Sequence, residues 1–191
     1  HGTISWKRTS DGFTHSQNTY SSYGYYFLTE TEEVNPLAFS VQESDITGTK
    51  TDTYPDFLVH EKDEYSWLHR GRVFFETYDF NNGRTQEYTF KIPGIVPEEN
   101  AKLRLAFGEG AGNATITTTI NDKQVGTLRN ASNLSSYTAF LTISGTLDCS
   151  GKLSENTKVK LTHSGTGSGH LDYITLNFTR KLALRGTSTI F

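Results

Sequence analysis

Between Tyr88 and Phe178 the chain repeats one pattern. Short runs in which every second residue is apolar are separated by turn-forming residues. Tyr88, Phe90 and Ile92 alternate with Thr89 and Lys91, and Leu103, Leu105 and Phe107 alternate with Arg104 and Ala106. Ala114, Ile116, Thr118 and Ile120 alternate with threonines, and Tyr137, Ala139, Leu141 and Ile143 keep the same rhythm. Val159 and Leu161, then Ile174, Leu176 and Phe178, complete it. In an extended chain successive side chains point to opposite faces, so a period of two marks strands with one buried and one wetted face. No helical apolar stripe longer than two turns competes with this reading.

The interruptions are chemically suited to reversing the chain. Asn81-Asn82-Gly83, Pro93-Gly94, Asn121-Asp122 and Gly165-Thr166-Gly167-Ser168-Gly169 supply residues that tolerate positive φ or preset it. Aromatic residues reach 13% although the apolar fraction is only 34%, and aromatic and β-branched side chains suit a half-buried pleated surface. At 191 residues the chain is long enough to bury about 70% of its unfolded surface. The expected fold is all-β: an antiparallel β-sandwich of jelly-roll, galactose-binding-like form. Tyr88, Phe90, Leu103, Leu105, Phe107, Ile116, Leu141, Leu161, Ile174 and Leu176 are expected to face inward.

The N-terminal part reads differently. It is rich in Ser, Thr and Tyr, with short strands expected around 25–29, 38–42 and 57–60 and an aperiodic polar loop over 43–53. Residues 1–70 are therefore read as an irregular β-rich part of the same domain, 71–184 as the sandwich core and 185–191 as the start of a following region. The sequence has no Met, and His1-Gly2-Thr3 has neither the basic start nor the apolar run of a signal peptide, which reads as an internal fragment. Leu182, Leu184, Ile190 and Phe191 are consistent with further structure beyond.

Several function classes have no support. A net charge of −3 without a basic stripe gives nucleic acid no electrostatic footprint. Cys149 is the single cysteine, so no intrachain disulfide or cysteine-based zinc site can form. His15, His60, His69, His163 and His170 lack metal-ligand spacing. A Cys149–His170 dyad would be the way to a cysteine nucleophile, but Cys149 reads as a bystander thiol at a strand end. The glycine-rich loop 165–169 feeds a β-like run rather than a helix N-terminus, so it is a flexible hairpin connection rather than a phosphate cradle. Glu61, Asp63 and Glu64 are too few oxygens for a calcium site. No cofactor or metal is expected. Asn113, Asn130, Asn133 and Asn177 open four Asn-x-Ser/Thr sequons, a number that a polar chain rich in Ser and Thr can hold by chance, and Trp6, Trp67 and the tyrosines of 20–26 are the aromatics suited to stacking on sugar.

One charged stretch stands apart. His60-Glu61-Lys62-Asp63-Glu64 is followed by Gly71-Arg72-Val73-Phe74-Phe75-Glu76, and Tyr54, Tyr65, Trp67 and Tyr78 flank them. So much aromatic surface around a charged loop suggests a loop tied onto a sheet, with Arg72 pairing Glu61 or Asp63 through its planar fork and fixing the segment that carries Trp67. The other reading is an acidic surface loop followed by a buried strand.

The same stretch resembles a segment in the N-terminal region of the sortases of the Bacteroidetes type IX secretion system, a family related to the gingipain cysteine peptidases. Tyr25-Tyr26-Phe27-Leu28 and Leu171-Asp172-Tyr173-Ile174-Thr175-Leu176-Asn177-Phe178-Thr179-Arg180-Lys181-Leu182 resemble earlier and later segments of that region, in the same order. In that family a Trp and a Gly stand in the run after Gly-Arg, where this chain has Phe74-Phe75-Glu76. The resemblance implies a non-catalytic module at the cell surface, on the extracellular side of the outer membrane. The catalytic His and Cys, in that order, would lie on a separate caspase-like domain. The whole enzyme would remove a C-terminal sorting signal from secreted cargo and join the cargo to an anionic lipopolysaccharide. The partners implied are the downstream peptidase domain, an outer-membrane barrel or the cargo, and the docking residues are Glu61, Asp63, Trp67, His69, Arg72, Phe74 and Phe75. The alternative is a carbohydrate-binding jelly roll that takes a surface glycan, since Gly169-His170-Leu171-Asp172-Tyr173-Ile174 also resembles the last strand of such modules.

Overall fold

The computed structural model describes residues 4–17, 51–67, 73–81, 84–130 and 138–183. The strands expected around 25–29 and 38–42, most of the loop over 43–53, and the region 185–191 lie outside the described residues. Ten strands are present and no α-helix among the described residues. They are β1 (Ile4–Thr9), β2 (Gly12–Gln17), β3 (Thr53–Glu61), β4 (Thr85–Lys91) and β5 (Lys102–Glu109), then β6 (Thr115–Ile120), β7 (Lys123–Arg129), β8 (Leu141–Asp148), β9 (Asn156–Ser164) and β10 (Gly169–Lys181).

Two four-stranded antiparallel sheets face each other, one in the order β3-β10-β5-β8 and the other in the order β4-β9-β6-β7. Chain-consecutive strands from β3 to β6 alternate between the sheets, and the wrapping that results is the eight-stranded jelly roll. β3 lies in the stretch read as the irregular N-terminal part, and it forms the edge of the first sheet beside β10.

The period-two pattern maps onto the core. Tyr88, Phe90, Leu103, Leu105, Phe107, Ile116, Leu161, Ile174 and Leu176 are buried, with Phe107 and both β5 leucines at 0% exposure. Leu141 is the exception: it opens an edge strand and is only half-buried, while Ile143 next in phase is buried. The turns follow their residues. Ile95 N–H donates to Ile92 O across Pro93-Gly94, with Gly94 at φ 71°, the arrangement of a type II turn. Asn121 and Asp122 sit at φ 46° and 64°, the two positive values a tight β6–β7 hairpin demands.

Two features go beyond a plain sandwich. β10 is shared lengthwise: β3 pairs with Tyr173–Lys181, and beyond it the segment 76–80 takes over, with Glu76 N–H donating to Leu171 O and Phe80 N–H to Gly169 O. A bulge at Asp172 marks the change of partner. The second feature is the β1–β2 hairpin, which lies on the outer face of the first sheet. Phe13 N–H donates to Asn177 Oδ1 at 2.6 Å, Trp6 and Phe13 lean on Phe57 with ring centroids 4.0 and 4.7 Å away, and Lys102 pairs with Asp11.

Candidate functional site

The charged, aromatic stretch folds onto one end of the sandwich, where β3 and β5 finish and β8 and β10 begin. Tyr65 and Phe75 form a two-residue bridge, each N–H donating to the other's carbonyl at 2.8 Å, which closes a loop whose arms come from both halves of the motif. The bridge joins the described ends of the two arms, and Phe75 is buried at 1% exposure.

An aromatic nest surrounds the bridge. The Tyr65 ring stacks on His170 with centroids 4.1 Å apart and planes 21° off parallel. Trp67 stands edge-on to His170 and Phe75 and leans on Phe140, with centroids between 5.1 and 5.9 Å. His170 Nδ1–H donates to Glu76 O at 3.0 Å, which fixes the tautomer, and burial depresses the imidazole below its ordinary value. Trp67 can lie flat against the chain because its neighbour is Gly110, where a Cβ would come within 2.7 Å of the indole.

Glu76 is the polar counterpart of the nest. Its side chain is buried, Tyr88 OH donates to Oε2 at 2.8 Å, Lys62 Nζ donates to Oε1 at 3.0 Å, and His60 Nε2 stands 3.5 Å away. Burial works to raise this carboxyl, but the hydrogen bonds from Tyr88 and Lys62 and the charge of His60 outweigh it and hold the group below the usual carboxylate range.

The docking residues expected from the sequence therefore separate. Phe74 is exposed at 37%, and its neighbour Val73 at 43%. Trp67 is half-buried in the nest and Phe75 belongs to the interior. Glu61 is engaged with the N-terminal hairpin through His15, and Asp63 is exposed. His69 and Arg72 lie outside the described residues, and so does the expected Arg72 pairing with Glu61 or Asp63.

Beneath the nest lies a pair the sequence reading did not assemble. Glu109 Oε2 and His163 Nε2 are 2.7 Å apart, both at 0% exposure, and Ala111 N–H donates to Glu109 Oε1 at 3.2 Å. The loop 165–169 closes over them. It joins β9 in one sheet to β10 in the other, so it is no hairpin connection. Its glycines serve close approach: a Cβ on Gly167 would lie 2.8 Å from Glu109 Oε1, and one on Gly169 would strike the Phe107 ring. Asp79 holds the loop, accepting from Ser168 Oγ and Gly169 N–H.

Among the described residues, Cys149 and His170 do not come together as a dyad. Cys149 is at 0% exposure, and burial pushes its thiol up to about 12. It bonds to Ala101 at one end of β5 while His170 faces Gly108 at the other, a separation of about 20 Å at the ordinary strand rise. No group of three or more His, Cys, Asp or Glu side chains among the described residues is placed to hold a metal ion.

No family model matches the chain, and neither does any curated protein sequence. Among solved structures it is similar to dimeric latent PorU from Porphyromonas gingivalis, at 15% identity and a TM-score of 0.66, over 97% of this chain and 18% of that one. It is also similar to a family 35 carbohydrate-binding module from an environmental isolate, at 16% identity and a TM-score of 0.42, over 67% of this chain and 91% of that one. The C-terminal family 6 carbohydrate-binding module of the laminarinase LamC from Zobellia galactanivorans aligns at 18% identity and a TM-score of 0.39, over 63% of this chain and 98% of that one. At these identities the PorU likeness establishes a shared fold, and the chain spans less than a fifth of PorU's length.

Proposed function

We propose that this chain is a non-catalytic β-sandwich module of a cell-surface type IX secretion sortase, and that its loop end docks the peptidase domain of the same protein. The observation that carries the reading is the order of the three sequence segments that resemble the sortase's N-terminal region. The PorU likeness supports it by running through nearly the whole chain. At the loop end, Val73 and Phe74 offer apolar surface on a base stiffened by the Tyr65–Phe75 bridge and the Glu76 bonds, as a docking surface requires. Secreted cargo or an outer-membrane barrel are the other partners this surface would take, on the extracellular side of the outer membrane.

The test separates docking from folding. Val73→Ser and Phe74→Ser remove exposed apolar groups and should leave stability within about 0.5 kcal/mol of the parent. In the sortase that carries this module, the pair of changes should impair cargo secretion while the protein is still made in full amount. Unimpaired secretion removes the docking role, and a coding sequence beyond Phe191 without a His-then-Cys peptidase domain removes the sortase reading.

A carbohydrate-binding jelly roll is the second reading, carried by the run from Gly169 to Ile174. In the structure Gly169, His170 and Leu171 of that run are buried, so its sequence is accounted for by packing. Binding on a glycan array, with Val73 and Phe74 variants unaffected, would favour this second reading.

A further inference from the structure

A cleft of about 390 Å³ opens at the end of the sandwich away from the aromatic nest, where β3 and β5 begin and β8 and β10 finish. The turn of the β1–β2 hairpin overhangs it and is held in place. Gly12, at φ 113°, lies so close to the sheet that a Cβ would fall 2.6 Å from the Asn177 side chain. Asn177 accepts from Phe13 N–H through Oδ1 at 2.6 Å and donates to Phe13 O through Nδ2 at 3.4 Å. Lys102 Nζ donates to Asp11 Oδ1 at 2.6 Å from the other side of the turn. These bonds preform the cleft, and its volume falls in the lower part of the ~300–1,000 Å³ usual for small-molecule sites.

The lining mixes donors and acceptors. Asp11, Lys102 and Asp148 form a row of alternating charge across the cleft, since Lys102 pairs with Asp11 and Asp148 is its cross-strand partner on β8. Ser150 N–H donates to Asp148 Oδ1 at 2.9 Å and orients a carboxylate that is still exposed. Asp56, also on the lining, lies 2.9 Å from Arg180 Nε. Arg8, Asn100 and Thr179 border the same space, and their side chains have no hydrogen-bond partner among the described residues. Phe13 and Pro55 supply an apolar wall.

We propose that this cleft is a binding site for a neutral glycan, taking a short run of uncharged pyranose units. Each hydroxyl of such a ligand both donates and accepts, so neighbouring hydroxyls can bridge the Asp148 carboxylate and the cations of Lys102 and Arg8. An anion that reached Arg8 and Lys102 would lie against Asp11 and Asp148, and an ammonium that reached those carboxylates would lie against the two cations. A peptide added as a strand needs open backbone groups, and those of Phe13 are already bonded to Asn177. Phe13 and Pro55 suit the C–H face of a sugar ring. The site goes beyond the docking reading, whose surface lies at the other end of the sandwich. It shares a ligand class with the carbohydrate-binding reading but sits away from the run that suggested it.

An array of gluco-, manno- and galacto-oligosaccharides, with oligoglucuronates and chitosan oligomers as charged controls, tests the site in the 191-residue chain. Neutral glycans should be retained and the charged ones not. The retained oligosaccharide, added free in solution, should shift the amide resonances of Gly12, Phe13, Lys102, Asp148 and Thr179 saturably. Those of Tyr65, Trp67 and Phe75 at the other end should stay in place. Arg8 is exposed, so Arg8→Ala should weaken binding about tenfold, the worth of one hydrogen bond to a charged group, with the melting temperature unchanged. Thr179→Phe fills the cleft and should abolish binding. Retention of no neutral glycan, retention of charged glycans alone, shifts confined to the loop end, or full binding by both variants would each overturn the proposal. In the last two cases the carbohydrate-binding reading survives with its site elsewhere.

Discussion

Replacing Glu109 by Ala isolates the buried pair under the glycine loop. The change leaves His163 Nε2 without its acceptor, while Nδ1 already has no partner among the described residues. It also strips the Ala111 amide of the oxygen it bonds at 3.2 Å. Each orphaned buried polar group costs about 1–3 kcal/mol. Truncating one member of a fully buried pair costs about 3–5 kcal/mol in total, a large share of the ~5–15 kcal/mol that holds a domain together. For a chain of this size each kcal/mol moves the melting point by about 2–4 °C, so the expected fall is roughly 6–20 °C. Urea titrations at neutral pH, with the m-value checked for constancy, measure the loss. Glu109→Leu combined with His163→Phe removes both polar groups together. It should recover much of the stability, giving a coupling of about 2 kcal/mol or more in a double-mutant cycle. A Glu109→Ala loss under about 1 kcal/mol, or an additive cycle, would refute the reasoning, because an unpaired polar group in so dry a site cannot be neutral.

The remaining expectations concern the same end of the sandwich and its interior. Gly169→Ala should lower the urea midpoint by an amount equivalent to about 1–3 kcal/mol, since the new methyl meets the rigid Phe107 ring and comes within 3.1 Å of Glu109 Oε2. Cys149, buried and with its thiol pushed up to about 12, should resist a thiol reagent at pH 8 in the native protein and react fully once unfolded in guanidinium. Glu76, held below its usual value, contributes stability that is complete above its unfolded pKa near 4.5 and lost as the pH falls through the lower folded one. Urea titrations on the two sides of that window should therefore differ less in Glu76→Gln than in the parent. Far-UV circular dichroism should show a β spectrum without a helical component.

How far the sequence could be read follows from how local each signal is. Period-two alternation is local, so β4, β5, β6, β9 and β10 and nearly all their inward residues were visible before any coordinates. So were the turns at Pro93-Gly94 and Asn121-Asp122, where the residue itself dictates φ. The buried pair left a signal that went unused: Glu109 continues the phase of Leu103, Leu105 and Phe107, and His163 that of Val159 and Leu161. A charged residue in phase with a buried stripe asks for a buried partner. The hairpin was not legible, because β1 presents Ser5, Trp6, Lys7 and Arg8 without alternation and is fixed by contacts to Phe57 and Asn177, far along the chain. Within the docking set, sequence could not separate Phe74 from Phe75. Only the bridge to Tyr65 decides which ring turns inward.

The lengthwise sharing of β10 has a mechanical corollary. Thr53 and Lys181 are register partners, and Leu182 N–H donates to Asp52 O at 2.6 Å, so the chain passes into the jelly roll and out of it through adjacent strands. Neighbouring strands lie about 4.8 Å apart, so the sandwich adds almost nothing to the end-to-end reach of a polypeptide threaded through it. It hangs from the line of the chain as a pendant. Tension applied across those two points would part β3 from β10 like a zipper, one rung at a time from Thr53–Lys181 toward Glu61–Tyr173, leaving the bonds between β10 and β5 aside at first. Such a unit is a poor spacer and a compliant link, and its rigid part is the far end, where the aromatic nest sits.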